Sequence, residues 1–208
     1  IKHFRKYKHM KSLCFKAGVL FIILFAFTHI NSQAQFEQKL TLQVSAGTAS
    51  LLDIEEYFSG GAMFNAGVQY NFSRRFGVTA MVMYGMHFSN PDMLNLDATF
   101  YTLGLGLSGK YKFFHTRRVN PYLLFGLSAS FLSFEVQVPQ SEPIRIEEPV
   151  APGIIMAMGL EFNLSENFAL FMQFGYNESY PSDGEGFAFG ETYALLGVNL
   201  NIFKSRTL

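Results

Sequence analysis

The sequence predicts an all-β fold, namely an eight-stranded antiparallel up-and-down transmembrane β-barrel that is preceded by a cleavable signal peptide. Three observations lead to this fold class. The N-terminal segment has the pattern of a secretory leader, the rest of the chain alternates apolar and polar residues, and short and long connections alternate along it. After the leader there is no apolar run of roughly 18 residues, which excludes a helical membrane protein.

The leader has a basic start, a short apolar middle and a small-residue exit. Its unbroken apolar run, residues 17–27, is shorter than the roughly 20 residues that a retained anchor helix, the alternative, would need. Ser32 and Ala34 occupy the −3 and −1 positions of a cleavage site between Ala34 and Gln35, so residues 1–34 are predicted to be signal peptide and 35–208 the barrel domain. Met10 opens a complete leader by itself, and residues 1–9 are equally well read as upstream sequence.

Composition narrows the classes of function. The only cysteine, Cys14, lies in the leader, so the mature chain can have no disulfide and no cysteine-bound metal. Six of the 16 basic residues also lie in the leader, which leaves ten against 16 acidic residues and a mature net charge of about −6. This balance argues against nucleic acid as a partner.

Eight segments show the period-two alternation of strands, and each is long enough to cross a bilayer at a tilt, which takes roughly 9–11 residues. One face of each carries large Leu, Phe, Tyr and Met side chains, and the other carries mainly Gly, Ala, Ser, Thr, Asn and Gln. The apolar face is too voluminous for an eight-stranded interior, so we expect it to face lipid rather than the inside of a soluble lipocalin-like barrel. The segments are 39–47, 63–72, 76–88, 101–113, 121–134, 156–164, 168–177 and 193–202.

The connections alternate in length and in charge. Short turns are predicted at 73–75, 115–120 and 165–167, and long loops around 51–61, 89–97, 135–152 and 178–190. Arg145 is the only base in the long loops, whereas the short turns and the C-terminus hold Arg74, Arg75, Arg117, Arg118, Lys204 and Arg206. Short turns at one end and long loops at the other are typical of an outer-membrane barrel, with the turns in the periplasm and the acidic loops outside. The long-loop acids are Asp53, Glu55, Glu56, Asp92, Asp97, Glu135, Glu142, Glu147, Glu148, Glu178, Asp183 and Glu185.

These features, with the Gly-dotted "YTLGLGLSGKYKF" and the turn-plus-strand "RRVNPYLLFGLSASF", resemble the small outer-membrane β-barrel family of Gram-negative bacteria, the OmpA/OmpX-like porin-family domains. Family members often end on an aromatic residue that the assembly machinery reads, and "LLGVNLNIF" approximates that ending. The resemblance implies location in the cell outer membrane, contact with its lipids, and folding with periplasmic chaperones and the barrel assembly machinery. We expect a monomer.

One group of polar residues is predicted to form a layer inside the barrel, about three to five residues above the short turns. Within it, Lys110 and Glu161 are the candidate ion pair, because an unpaired charge in so narrow a lumen would be costly. An eight-stranded interior is normally filled by side chains, so we predict no pore; an ion or proton path is the alternative. The layer consists of Gln43, Gln69, Thr79, Lys110, Glu161, Gln173 and Asn199.

No catalytic residue, cofactor or metal is predicted. The enzymatic alternative is a lipid A deacylase-like hydrolase in which His87 and Ser89, with Asp92 or Asp97 as the acid, would act as base and nucleophile. Two scattered histidines, His87 and His115, do not have metal-ligand spacing. The favoured function is a non-enzymatic barrel that contributes to envelope integrity or presents its acidic loops to a surface partner. A further alternative is an assembly factor for a secretion or gliding machine.

Overall fold

The computed structural model describes residues 38–52, 57–90, 97–114, 118–137, 144–165, 167–180 and 188–205. The predicted leader, with its cleavage site at Ala34 and Gln35, lies outside these residues. The strands are β1 (Gln38–Leu51), β2 (Phe58–Asn71), β3 (Phe76–Ser89), β4 (Asp97–Lys112), β5 (Val119–Gln137), β6 (Ile144–Asn163), β7 (Phe168–Ser179) and β8 (Phe189–Ser205). The described residues include no helix that is long and apolar enough to span a membrane.

The eight strands form one closed barrel in chain order, and β8 pairs with β1 to close it. Every neighbouring pair is antiparallel, as in an up-and-down barrel. Closure leaves no strand edge unpaired, which a sheet in lipid requires. The predicted eight-stranded antiparallel up-and-down barrel is confirmed.

The alternating pattern of the sequence becomes an outward and an inward face. Outward side chains are large and apolar, and Leu127, Met158 and Leu196 keep 64%, 62% and 69% of their surface exposed. Inward positions of the same strands, such as Ser128 and Ala157, are buried. An apolar exterior around a closed sheet matches lipid rather than water as the solvent.

Aromatic residues form a continuous row beside the short turns. The Phe76 and Tyr111 rings lie 4.9 Å apart, and Tyr111 meets Phe113 edge-on at 5.2 Å. At the other end the Tyr84 and Tyr101 rings stack at 6.5 Å. Aromatic girdles at both ends are the expected anchors at the two membrane interfaces.

The strands extend further toward the long-loop end than the sequence predicted. Residues 135–152 were expected to form one loop, but β5 continues to Gln137 and β6 begins at Ile144, with Glu135 opposite Arg145 and Leu132 opposite Glu148. The predicted loop at 51–61 also overlaps two strands, since β1 ends at Leu51 and β2 begins at Phe58. A hydrogen-bonded hairpin can continue past the bilayer into water with polar residues on either face, so charge did not mark its end. The register shift between Ser130 and Leu132 also interrupts the alternation there.

Candidate functional site

The base of the lumen, near the short turns, holds a network of charged side chains. Lys110 Nζ lies 2.9 Å from Glu161 Oε2, and Lys112 Nζ lies 2.6 Å from Glu161 Oε1. Lys110 and Lys112 reach inward from the end of β4, while Glu161 comes from the corresponding end of β6. Lys110 and Glu161 are almost fully buried, and the Lys112 side chain keeps 18% exposure toward the turns. One carboxylate therefore serves two ammonium groups.

Amide side chains provide further hydrogen bonds to these charged groups. Lys110 Nζ also donates to Gln69 Oε1 at 3.1 Å, and Asn199 Nδ2 donates to Glu161 Oε2 at 3.0 Å. Gln43 Nε2 donates to the same Gln69 oxygen at 2.9 Å. The network continues across the barrel floor from Gln69 to Asn71, Thr41 and Asn201. These bonds join β2, β4, β6 and β8 across the lumen, so the satisfied charges hold strands that are not neighbours in one arrangement.

Of the seven predicted layer residues, the structure joins Gln43, Gln69, Lys110, Glu161 and Asn199 by direct hydrogen bonds. Gln173 makes no direct hydrogen bond to these five and is linked to Lys110 only through Tyr122, whose hydroxyl donates to Gln173 Oε1 at 3.0 Å. Thr79 is fully buried but stays outside the network, because its Oγ1 has no hydrogen-bond partner in the described part of the chain.

Sequence reasoning left two members out of the network. Lys112 has the same inward parity as Lys110, and that parity was a usable signal, but the residue is close to the turn. Tyr122 lies under the lysine, with Lys110 Nζ 4.0 Å from the centre of its ring, a cation–π contact. Its inward parity was visible, since Tyr122 falls on the face opposite Leu123 in "PYLLF", but its contact with a lysine on β4 depends on the register of the closed barrel.

The middle of the lumen is filled mainly by apolar side chains, with a few buried polar pairs such as Ser128 and Asn177 beside them. Two clusters of buried side chains fill it, and its glycines make room for them. A Cβ on Gly106 would lie 2.7 Å from Ile155 Cδ1, and one on Gly175 would lie 2.2 Å from the Tyr193 ring. The clusters are Met81, Met83, Leu124, Ile155 and Ala157, and Ala49, Met63, Tyr193 and Leu195.

The outer end of the lumen holds a buried His–Glu pair beneath an apolar cap. His87 Nε2 lies 2.8 Å from Glu191 Oε1, and His87 has no exposed surface. Its Nδ1 has no partner among the described residues, so a proton on Nε2, donated to Glu191, leaves only an acceptor unsatisfied. We define the apolar cap as Leu51, Phe58, Phe100, Leu132 and Ala151, with Phe134 and Phe189 packed against them.

This arrangement differs from the one that the hydrolase alternative needs. The carboxylate that contacts His87 is that of Glu191, which the sequence did not suggest, and Asp92 lies outside the described residues. Ser89 Oγ accepts from the Ala98 amide at 3.1 Å. The histidine faces the sealed lumen, so a lipid in the membrane has no access to its ring. The described residues also contain no group of three or more His, Cys, Asp or Glu that could hold a metal.

Comparisons with known proteins agree with this architecture. The family model for an outer membrane protein beta-barrel domain matches residues 17–200. Neisserial surface protein A (NspA) is similar in structure, with a TM-score of 0.56 at 18% identity over 78% of this chain and 97% of that chain. A major outer membrane protein from Thermus thermophilus has a TM-score of 0.53 at 14% identity, covering 79% of this chain and 99% of that chain.

A third structure, Ail, the attachment invasion locus protein of Yersinia pestis in complex with the heparin analogue sucrose octasulfate, has a TM-score of 0.50 at 16% identity, covering 80% and 98%. At such identities the likeness shows the fold alone. No curated protein sequence matches the chain. The family match over most of the chain and the closed eight-stranded barrel together show that this protein belongs to the outer membrane protein beta-barrel domain family and lies in the outer membrane.

Proposed function

We propose that the protein is a non-enzymatic, non-conducting barrel that contributes to the integrity of the outer membrane. The observation that carries this proposal is the filling of the lumen at three successive levels. A polar network closes the base, methionine and aliphatic side chains fill the middle, and the apolar cap closes the outer end. To pass through, an ion would have to lose its hydration shell and cross an apolar layer, which is costly.

Planar-bilayer recording of the purified barrel tests the proposal. Insertion is expected to leave the conductance at the baseline of the bare membrane, and an open porin in the same membrane provides the positive control. Stable conductance steps with ion selectivity would contradict it. Cells that lack the protein should admit a large hydrophobic dye faster, and the wild-type gene should restore the barrier.

A surface partner for the outer loops is the second candidate function. Twelve acids and one base, Arg145, lie in the segments that were expected to form long loops. This charge favours a basic partner and disfavours a sulfated ligand such as the one bound to Ail. Crosslinking in cells followed by co-purification should recover one partner, and its loss on neutralising the loop acids would support this function. Recovery of a secretion or gliding component would favour the assembly-factor alternative.

Lipid A deacylation through His87 and Ser89 remains the enzymatic alternative. The buried His87–Glu191 pair speaks against it, because a general base must reach the reacting group. Mass spectrometry of lipid A from cells with the wild-type protein, with His87→Ala and without the protein should give the same acyl pattern. An acyl chain that is lost only when His87 is intact would establish the enzyme instead.

A further inference from the structure

Basic residues gather at the short-turn end of the barrel. Seven of the eight lysines and arginines in the described part of the chain lie there, and Arg145 is the exception. The only acid at this end among the same residues is Glu161, which is buried and already contacts two lysines. This end therefore has an excess of positive charge. The seven bases are Lys39, Arg74, Arg75, Lys110, Lys112, Arg118 and Lys204.

Three of these bases form an exposed set, which we call the basic rim. Arg74, Arg75 and Arg118 are exposed, and none of them has an ion-pair partner within the described ranges. Arg74 and Arg75 lie at the tip of the β2–β3 turn, and Arg118 lies just before β5. The two connections are neighbours around the same end of the barrel, so one ligand can reach both.

The backbone that carries the basic rim is held in place by hydrogen bonds. The Arg75 carbonyl accepts from the Lys112 amide at 2.7 Å, which ties the β2–β3 turn to the end of β4. The Arg118 carbonyl accepts from the Asn163 amide at 2.8 Å and ties the start of β5 to the end of β6. A ligand therefore meets arginines whose backbone is already ordered, which lowers the entropy cost of binding.

The outer wall beside these turns is aromatic and not basic. Phe72 and Phe76 stack at 6.3 Å, and Tyr111 and Phe113 continue the row at the end of β4. Aromatic rings of this kind lie at the headgroup level of the membrane. The arginines lie beyond the rings, on the connections themselves, and short turns of such barrels face the periplasm. We therefore expect their partner in the periplasm and not in the lipid around the wall.

The chemistry of the basic rim indicates the class of partner. Guanidinium groups bind carboxylates through paired, charge-assisted hydrogen bonds, and several weak contacts to one polymer add up. An acidic peptide offers successive carboxylates and can reach both connections, whereas one small anion cannot. We propose that the basic rim binds an acidic peptide of the periplasm, either a protein segment or the carboxylate-bearing peptides of the cell wall. This inference deepens the envelope role and rests on it, because the contact fastens the outer membrane to a layer beneath it.

Fluorescence anisotropy of a labelled oligoglutamate peptide measures binding to the full barrel in non-ionic detergent. An oligoglutamine peptide of the same length is the uncharged control and should bind more weakly. The triple variant Arg74→Gln, Arg75→Gln and Arg118→Gln should weaken oligoglutamate binding about tenfold, as expected for the loss of three exposed charge pairs. Wild-type binding should also weaken as the salt concentration rises.

A matched pair of single variants separates the basic rim from a general effect of charge. Arg118→Gln and Arg145→Gln each remove one exposed guanidinium, at opposite ends of the barrel. Arg118→Gln should weaken oligoglutamate binding, and Arg145→Gln should leave it unchanged. Equal affinity of wild type and the triple variant, or an equal loss in Arg145→Gln, would overturn the proposal. Circular dichroism confirms that each variant is folded.

Sedimentation with purified cell-wall sacculi distinguishes the two sources of the peptide. Wild type that pellets with sacculi, with the triple variant left in the supernatant, assigns the peptide to the cell wall. Wild type that binds oligoglutamate but not sacculi assigns it to a protein. Loss of co-purified anionic phospholipid from the triple variant, with unchanged oligoglutamate affinity, would assign the arginines to lipid headgroups and overturn the proposal. Current steps in planar bilayers would contradict the non-conducting function and leave the peptide result standing, so the two proposals fail separately.

Discussion

Glu161 is the counter-ion of two lysines at the base of the lumen. Among the described residues it is the only carboxylate that contacts Lys110 and Lys112. The neutral neighbours Gln69 and Asn199 direct an oxygen at Lys110 and an amide hydrogen at Glu161 respectively, so each ion has partners beyond its counter-ion. Such a network stabilises only as a complete unit, because every partial version leaves a buried charge unsatisfied.

Replacement of Glu161 by glutamine should therefore destabilise the barrel strongly. The change leaves two lysine charges without their carboxylate, and loss of one partner of a buried ion pair costs about 3–5 kcal/mol. Lys112→Gln should cost less, because the Lys112 side chain reaches the solvent near the turns and its loss leaves the Lys110–Glu161 pair intact. Urea unfolding in phospholipid vesicles, followed by circular dichroism since the chain has no tryptophan, measures both.

Glu178→Gln, at the outer end of β7, is the control for this comparison and should change the free energy of unfolding by less than Lys112→Gln. Equal stability of wild type and Glu161→Gln would contradict the role given to the ion pair.

Single residues were predictable from the sequence where parity and charge acted together. Lys110 and Glu161 have inward parity at similar distances from short turns, and the cost of an isolated charge predicts that they pair. The partner of His87 was not predictable in this way. Glu191 lies in a stretch that begins β8 just after a long connection, and only the closed register brings it to 2.8 Å from His87.

Strand glycines set how closely side chains can pack in the lumen. Gly175 on β7 faces inward, and a Cβ there would overlap the buried Tyr193 ring at 2.2 Å. Gly109 on β4 faces outward, and the nearest atom to its Cβ would be a backbone oxygen at an ordinary 3.9 Å. Two glycines in similar strands therefore have different structural roles.

We expect Gly175→Ala to destabilise the barrel by about 1–3 kcal/mol, the usual cost of overpacking. Gly109→Ala should be close to neutral, since the added methyl group enters lipid. The two variants are compared by urea unfolding in vesicles of one lipid. A smaller loss of unfolding free energy in Gly175→Ala than in Gly109→Ala would contradict this prediction. It would show that the side chains of the interior can move to make room for the added methyl group.

Two of the short turns each begin with a serine whose hydroxyl group accepts hydrogen bonds from amides of the turn. Ser73 Oγ accepts from the amides of Arg75 and Phe76 at 3.2 and 2.9 Å, and Ser165 Oγ accepts from those of Asn167 and Phe168 at 3.3 and 3.1 Å. Hydroxyl groups that bind amides two and three residues ahead are typical of tight turns.

Only Ser73 is buried, so Ser73→Ala should cost about 1 kcal/mol and Ser165→Ala distinctly less, because water replaces the lost acceptor at the exposed turn. The difference between their unfolding midpoints at equal m-value is the quantity to compare. Identical midpoints would mean that the hydroxyl contributes to neither turn.

The β5–β6 hairpin shows where the pattern of a strand stops being readable. Up to Ser130 the alternation follows lipid and lumen and predicts the strand well. Beyond it one register shift and acidic residues on both strands remove the signal, although the ladder continues to Val136 and Ile144. Backbone hydrogen bonds hold this part together, and they leave no trace in the side-chain pattern.

At the scale of the molecule, the order and register of all the strands determine which side chains meet in the lumen. No single segment determines this. The polar base could be predicted because short turns fix the register of neighbouring strands there. The apolar middle and the cap could not, because they combine residues from up to five strands whose registers shift near Phe58 and Ser130. The methionines on β3 fit only because Gly104 and Gly106 face them from β4.

The proposed barrier to ions consists of three layers in series. Phe100→Ala removes the central ring of the cap, which contacts Phe58, His87 and Phe189. Because the methionine layer and the ionic base lie beneath it, we expect the conductance of Phe100→Ala in planar bilayers to stay at the level of the bare membrane. Discrete current steps in this variant would mean that the cap alone closes the lumen and that the inner layers admit water and ions.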